Sequence, residues 1–338
     1  MQKLTISVAE AGQRIDKFLL KYLNAASRGF VFKMLRKKNI DLNGKKADPS
    51  ALLREGDAVN LWLSDETIAA FRKQEMPPAR RKENKTASGG EPEPYRIVYE
   101  DGDIIIANKR CGILSQKADP GDISLNELLL AHVRETSGEA DTSLRAFTPS
   151  VCNRLDRNTS GLITFAKTYP AARLLSELLA DRKLHKYYLA PVLGEVRAAE
   201  RFSAWLRKDE TDNRVVIRRE NFAGASRIET AYEPVFCSGN YTLLKILLIT
   251  GKTHQIRAHL ASLGHPVLGD AKYGNAAENK RLKKKFSLSH QLLHAYELRF
   301  PEKLPEPLSS LSGQYFRAEP PELFRSVLQD CFSGKSPV

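Results

Sequence analysis

CNRLDRNTSGLITFAK, residues 152–167, sets one carboxylate, Asp156, between Arg154 and Arg157, ahead of a Thr-Ser-Gly turn and a strand-like apolar run. Two more stretches share that character: LHKYYLAPVLG (184–194) and TGKTHQIRAHLASLGHPVLGDAKYG (250–274). Each places reactive polar groups at the edge of an apolar segment, where a rigid element can position chemistry. Around them run further strand-like segments, RIVY (96–99), DIIIAN (103–108) and YTLLKILLI (241–249). Only two clear helices interrupt them, PAARLLSELLADR (170–182) and one within THQIRAHLASLG (253–264). Strands this dominant argue for an α+β domain over residues 95–325 rather than a doubly wound sheet. Taken singly, Asp156 reads as a surface ion pair, Tyr187 and Tyr188 as sheet aromatics, and Arg257 as a solvent-facing helix residue.

Several chemistries are excluded by spacing. Gly251-Lys252-Thr253 looks like the end of a phosphate-binding loop, but position 246 is Ile where the first glycine is required. No G-x-G-x-x-G follows a strand, and no G-x-S-x-G occurs. His254 and His259 lack the intervening pattern of a zinc helix. Cys111, Cys152, Cys237 and Cys331 lie far apart and read as ordinary thiols of a reducing compartment. MQKLTISVAEAGQRID (1–16) has no apolar core of a signal peptide, and LLKILLIT (243–250) is far too short to span a membrane. The expectation is a cytoplasmic protein that works without metal or cofactor.

The 338 residues leave room for two domains. A formal net charge of +13 favours a polyanionic partner, nucleic acid ahead of a membrane surface. Residues 12–64 form a module of their own. Ile15, Phe18, Leu19, Tyr22 and Leu23 recur at helical spacing, and Ser27 can cap a second helix that carries Phe30, Val31, Met34 and Leu35. Asn43-Gly44 signals a hairpin turn, and Val59, Leu61 and Leu63 alternate as in a half-buried strand. Residues 1–64 hold 12 Lys and Arg against 6 Asp and Glu. Arg28, Lys33, Arg36, Lys37 and Lys38 crowd the second helix with one sign of charge, which phosphates would relieve with release of counterions. Residues 65–94, rich in Pro, Gly, Lys and Glu without apolar periodicity, read as a flexible linker.

GQRIDKFLLKYL (12–23), SRGFVFKMLRKKNIDLNGKKA (27–47) and LREGDAVNLWL (53–63) together resemble an S4 RNA-binding domain. The resemblance implies two helices packed on a small sheet, with a basic face that grips structured RNA. The larger part resembles the pseudouridine synthases of the RluA family over residues 95–300. Asn153-Arg154-Leu155-Asp156-Arg157-Asn158-Thr159-Ser160-Gly161 matches the family's H-R-L-D-x-x-T-S/T-G from Arg154 onward. Lys186, Tyr188, Ala190, Val192 and Gly194 meet K-x-Y-x-A-x-V-x-G; Gly251 to Arg257 meet G-R/K-x-H-Q-I/L-R; Gly264 to Gly274 meet G-H-P-x-x-G-D-x-x-Y-G.

What this second resemblance implies is a large mixed, mainly antiparallel sheet and the isomerisation of uridine to pseudouridine. The N1–C1′ bond breaks, the base turns, and C5 joins C1′, a sequence that needs no redox agent, only a carboxylate. The family assigns that carboxylate to Asp156, a cationic partner that favours its ionised form to Arg257, and stacking on the uracil to Tyr188. Reaching a stacked uridine requires flipping it out, at roughly a few kcal/mol, with Arg154 suited to fill the space left behind. Lys186, Lys252 and His254 are expected to contact phosphate or position the substrate. An S4 domain ahead of such a catalytic domain marks the branch that modifies ribosomal RNA. Large-subunit ribosomal RNA, free or in a partly assembled subunit, is therefore the expected partner of a monomeric enzyme. Transfer RNA, a non-catalytic ribosome-assembly factor and an S4-bearing methyltransferase are the alternatives. Two departures stand out: Asn153 replaces the usual His, and Asn108-Lys109-Arg110-Cys111-Gly112 lacks the proline of N-K-P-x-G.

Overall fold

A computed structural model describes residues 1–72, 93–137, 147–209 and 214–332. The first unit opens on strand β1 (Gln2–Thr5) and helices α1 (Ile15–Tyr22) and α2 (Arg28–Arg36). Strands β2 (Ile40–Leu42) and β3 (Ala58–Leu61) and helix α3 (Asp65–Phe71) complete it. The strands order β1-β3-β2, all antiparallel. Phe18, Leu19 and Tyr22 of α1 and Val31 and Leu35 of α2 fall on the faces that the helical spacing indicates, and all are buried against Leu4, Val59 and Leu61. The Ser27 hydroxyl caps α2 by accepting from the Phe30 amide at 3.2 Å. Asn43 and Gly44 both take positive φ, 54° and 76°, as the hairpin signal requires.

Two readings need correction here. Strand β1 precedes residue 12 and pairs with β3, so the module's sheet begins earlier than the helical pattern indicates. The stretch from residue 65 does not start as a structureless linker: Ser64 caps α3, Ile68 is buried, and Phe71 packs on Phe30 with ring centroids 4.4 Å apart. That cap and the packing of Ile68 and Phe71 hold a seven-residue helix that composition alone conceals. Most of the remaining linker, residues 73–92, lies outside the described residues.

The second unit runs through β4 (Tyr95–Glu100), β5 (Ile104–Lys109), α4 (Leu125–Ser137), β6 (Ser150–Val151), β7 (Ser160–Ala166) and α5 (Tyr169–Ala180). It continues with β8 (His185–Leu193), β9 (Glu200–Asp209), β10 (Arg214–Arg218), β11 (Ser226–Cys237) and β12 (Tyr241–Leu248). Helices α6 (Gln255–Ser262) and α7 (Ala276–Phe286), strands β13 (His294–Arg299) and β14 (Tyr315–Arg317), and α8 (Glu322–Cys331) finish it. Eleven strands form one sheet, ordered β10-β9-β11-β12-β8-β13-β7-β5-β4, with β14 on β13 and β6 on β7. The β13–β7 pair alone is parallel among the described strands, so the sheet is mixed and mainly antiparallel and the fold is α+β.

Alternation along the strands divides two cores. Ile105, Ala107, Ile163, Phe165, Tyr188 and Ala190 face the layer of α4 and α6, whereas Ile104, Ile106, Leu162 and Ala166 face α5. Helices α4, α7 and α8 have no counterpart in the two-helix reading. Helix α7 escapes because AAENKRLKKKF buries only Leu282, leaving charge to dominate its periodicity. Helix α8 carries the fold past residue 325 and buries Phe324, Val327, Leu328 and Cys331.

Gly161 sits where β7 meets β13. Its φ is +114°, and a Cβ there would lie 2.2 Å from the Ala295 carbonyl oxygen. The parallel junction is therefore open only to glycine, which is why the turn that follows Asp156 ends in Ser-Gly.

Candidate active site

The Asp156 loop joins β6 to β7 and is tied down at successive residues. The Cys152 amide donates to the Thr164 carbonyl at 2.8 Å. Asn153 Oδ1 accepts from both the amide and the hydroxyl of Thr164, at 2.8 and 2.9 Å. The Asn in place of the family's His thus anchors the loop to β7, a task that needs an acceptor and no charge. The Ser115 hydroxyl donates to the Leu155 carbonyl at 2.8 Å and accepts the Leu155 amide at 2.9 Å. Lys109, whose side chain is fully buried, donates to the carbonyls of Arg110, Ile113 and Arg157 at 3.0, 2.7 and 3.0 Å. Burial pushes its ammonium down to about 8, and those carbonyls satisfy its three donors. In the departed N-K-R-C-G segment the Cys111 thiol donates to the Asn158 carbonyl at 3.2 Å, so it supports the same loop without the proline.

Arg257 projects from the first turn of α6. Its Nη1 donates to Asp156 Oδ2 at 3.0 Å, and its Nε and Nη2 donate to the two oxygens of Asp270 at 2.6 and 2.9 Å. Asp270 also accepts the amides of Lys272 and Tyr273 at 2.8 and 3.1 Å. Burial pushes its carboxyl up, but the bonds and charge of Arg257 with those amides outweigh it and hold it below the usual value. The guanidinium is lowered by its own burial and raised more by Asp270 and Asp156, so it stays charged. Asp270 is wholly unexposed and Asp156 partly open, with 30% of its side chain accessible. One carboxylate therefore grips the arginine while the other faces the cleft. Gly274 closes the turn around Asp270, where a Cβ would come within 2.2 Å of the Asp270 carbonyl oxygen.

His254 stands at the N-terminal boundary of α6 with φ 53°, held by its neighbour. Gln255, which is buried, accepts from the Thr250 hydroxyl and the Lys252 amide and donates to the Glu229 carbonyl and Thr230 hydroxyl. The Tyr273 hydroxyl accepts the Val215 amide, so its hydrogen is available to His254 Nδ1, 3.0 Å away. That tautomer leaves a hydrogen on Nε2, which lies 4.0 Å from Asp156 Oδ2. Burial lowers the imidazole's basicity despite the nearby carboxylate.

Tyr188 enters from β8, 4% exposed. Burial first, and the Asp156 charge second, raise its hydroxyl above the usual phenol value, so the ring remains protonated. Lys186 shares its face of the strand two residues earlier, and burial lowers its ammonium. These residues line one open cleft of about 1080 Å³ together with Arg154, Lys252 and His254. Every candidate of the larger domain, Asp156, Tyr188, Arg257, Arg154, Lys186, Lys252 and His254, thus converges on one site. Arg28, Lys33, Arg36, Lys37 and Lys38 belong to α2 or the residues after it, all exposed in the first unit. Asp270, Tyr273 and Lys208 are members of the site that sequence reasoning passes over. The first two lie inside the quoted GHPVLGDAKYG, where the Asp and Tyr are legible but their partners are not. Among the described residues no three His, Cys, Asp or Glu side chains are arranged to hold a metal ion, and no helix is long and apolar enough to cross a membrane.

Residues 103–262 match the family model of RNA pseudouridylate synthase, and residues 13–59 match that of the S4 domain. The chain is 31% identical over 303 residues to an uncharacterised RNA pseudouridine synthase of Mycoplasma genitalium, covering 89% of each chain. It is 30% identical over 302 residues to ribosomal large subunit pseudouridine synthase C of Escherichia coli, covering 88% of each. The solved structure of human RNA pseudouridylate synthase domain containing 4 shares the fold, with a TM-score of 0.55 at 21% identity over 70% of this chain and 92% of that one. Relatives matched over nearly nine-tenths of the chain, together with the two family models, show that the chain belongs to the RNA pseudouridine synthase family, as an S4-bearing member.

Proposed function

We propose that this enzyme isomerises uridines of large-subunit ribosomal RNA, with Asp156 as the group that acts on the flipped-out nucleotide. The observation that carries the reading is the Asp270–Arg257–Asp156 chain, which brings Arg257 and Asp156 to the wall of the cleft that Tyr188 also lines. Arg257 fixes the carboxylate in place and offers it a permanent positive partner. Tyr188 supplies a flat apolar face for the uracil and keeps its hydroxyl hydrogen. Asp156, acting as nucleophile or base on that nucleotide, initiates cleavage of N1–C1′; the base turns, C5 bonds to C1′, and C5 gives up its hydrogen while N1 gains one. Arg154, exposed at the mouth of the cleft, is suited to occupy the gap that the uridine leaves. Lys186, Lys252 and His254 surround the same opening and suit an anionic strand. The S4 match and the name of the Escherichia coli relative support ribosomal RNA as the target.

Tritium release from 5-tritiated uridine in ribosomal RNA tests the assignment, because C5 loses its hydrogen. Asp156→Ala and Asp156→Asn are expected to bind RNA as the wild type does and to release no tritium. Release at the wild-type rate from Asp156→Ala would overturn the role of this acid. Mapping pseudouridines in cells with and without the protein separates a ribosomal from a transfer-RNA target.

A further inference from the structure

A second groove, about 530 Å³, leaves the active-site cleft and crosses the β9–β11 end of the sheet. The two share Lys208, Lys252 and Thr253, so the groove is a lateral extension of the cleft. Its remaining walls are Leu206, Arg207, Gly224 and Ser226, with no carboxylate among them. Charge pairing distinguishes it from the surrounding surface. Nearby Arg201 is tied to Glu229 at 2.6 Å, and Arg182 reaches the same carboxylate at 3.8 Å. Arg207, Lys208 and Lys252, by contrast, make no ion pair among the described residues and are all exposed. Cations gathered this closely repel one another unless an anion joins them.

Arg207 is also pre-set. Its Nη1 donates to the Ala223 carbonyl at 3.1 Å, and its guanidinium lies 5.3 Å from the centre of the Phe222 ring, which Arg218 approaches at 4.8 Å. That carbonyl and ring fix the plane of the fork while leaving most of its N–H groups unspent. Gly224 keeps the wall bare: its φ is +74°, and a Cβ would press to 3.3 Å from Arg207 Cδ. Hydroxyls of Ser226 and Thr253 add donors that suit ribose or phosphate oxygens.

We propose that this groove holds the sugar-phosphate backbone of the RNA strand directly flanking the target uridine, with Arg207 and Lys208 on phosphate. The proposal rests on the cleft being the uridine site, since the two openings are continuous. It assigns a track that fixes which way the strand leaves the cleft once the base is flipped.

The full chain carrying Arg207→Ala, Lys208→Ala or both is compared with wild type on in-vitro-transcribed large-subunit ribosomal RNA containing 5-tritiated uridine. Arg173→Ala, exposed on α5 and paired with Glu177, is the control. The double variant is expected to raise KM ten- to a hundredfold, with the loss falling on KM rather than kcat. The slope of log affinity against log salt, from filter binding, should drop by about 1.4, near 0.7 for each single-strand phosphate no longer neutralised. A wild-type salt slope and KM in the double variant would overturn the proposal and leave the groove a solvated sheet edge. So would a fall in kcat at unchanged KM, which would tie these cations to chemistry instead. Absence of tritium release by the wild type would count against the cleft reading, whereas filter binding still judges the groove by itself.

Discussion

Replacing Asp270 by Asn isolates the clamp on Arg257, because the substitution keeps shape and removes charge. Asp270 Oδ1 accepts Arg257 Nη2 and the amides of the turn, while Oδ2 accepts Arg257 Nε at 2.6 Å. An Asn that preserves the turn must point its NH₂ at Nε, donor against donor, at a position shut off from bulk solvent. Removing one partner of a buried ion pair costs about 3–5 kcal/mol. For a domain of this size each kcal/mol moves Tm by about 2–4 °C, so a fall of roughly 6–20 °C is expected. Freed on one side, the guanidinium can shift on the ångström scale, a displacement that costs on the order of 10²-fold in turnover. RNA affinity, which is held by groups elsewhere in the cleft and on α2, should stay within about twofold of wild type. Tritium release well below the variant's Tm, calorimetry and filter binding read the three quantities separately. Normal kcat with a lowered Tm would show that Asp270 serves stability alone, and an unchanged Tm would refute the argument from the buried pair. The pH dependence has a definite sign. Because the folded carboxyl titrates below its unfolded value, its contribution is complete above about pH 4 and is lost only as the pH falls further. The Tm gap between wild type and Asp270→Asn should therefore close only in that acidic range.

His294 is wholly buried, donating Nε2–H to the Ala318 carbonyl and accepting the Ser160 hydroxyl, each at 2.8 Å, and burial pushes it down to about 4. Below about pH 6.5 the unfolded chain takes up a proton that the folded one refuses, so stability should fall by up to about 3 kcal/mol between pH 6.5 and 4. His294→Gln, which keeps a donor and an acceptor, should flatten that slope in urea titrations; equal slopes would exclude His294 as the source. Changing Arg28, Lys33, Arg36, Lys37 and Lys38 together to Gln should lower the salt slope of RNA binding by up to roughly 4. An unchanged slope would mean that this face does not meet phosphate.

Much of the fold can be read locally. The apolar spacing of α1 and α2, the Ser27 cap and the Asn43-Gly44 turn need only neighbours a few residues away, and the structure realises all of them. Strands β5, β7, β8 and β12 announce themselves because sheet interiors demand β-branched and aromatic runs. Helices α3 and α7 stay hidden since so few of their side chains are buried that no period emerges. The parallel β13–β7 pair that makes Gly161 obligatory joins residues more than a hundred positions apart.

The site divides along the same line. Asp156, Tyr188 and Arg257 are visible as residues in ordered segments, and so is the excess of positive charge that calls for a polyanion. Their function as a unit is not visible, because hydrogen bonds form across space. Arg257 and Asp156, 101 positions apart, meet at 3.0 Å only after β7, β8 and α6 have packed. The same holds for Asp270 gripping the arginine, Lys109 buried beneath the loop, and Asn153 anchoring that loop to β7. Local sequence determines which chemical groups this chain carries and the elements that bear them, since propensity and periodicity act over a few residues. Tertiary structure alone decides which groups lose water and which partners they find, since burial and ion pairing are properties of the packed chain.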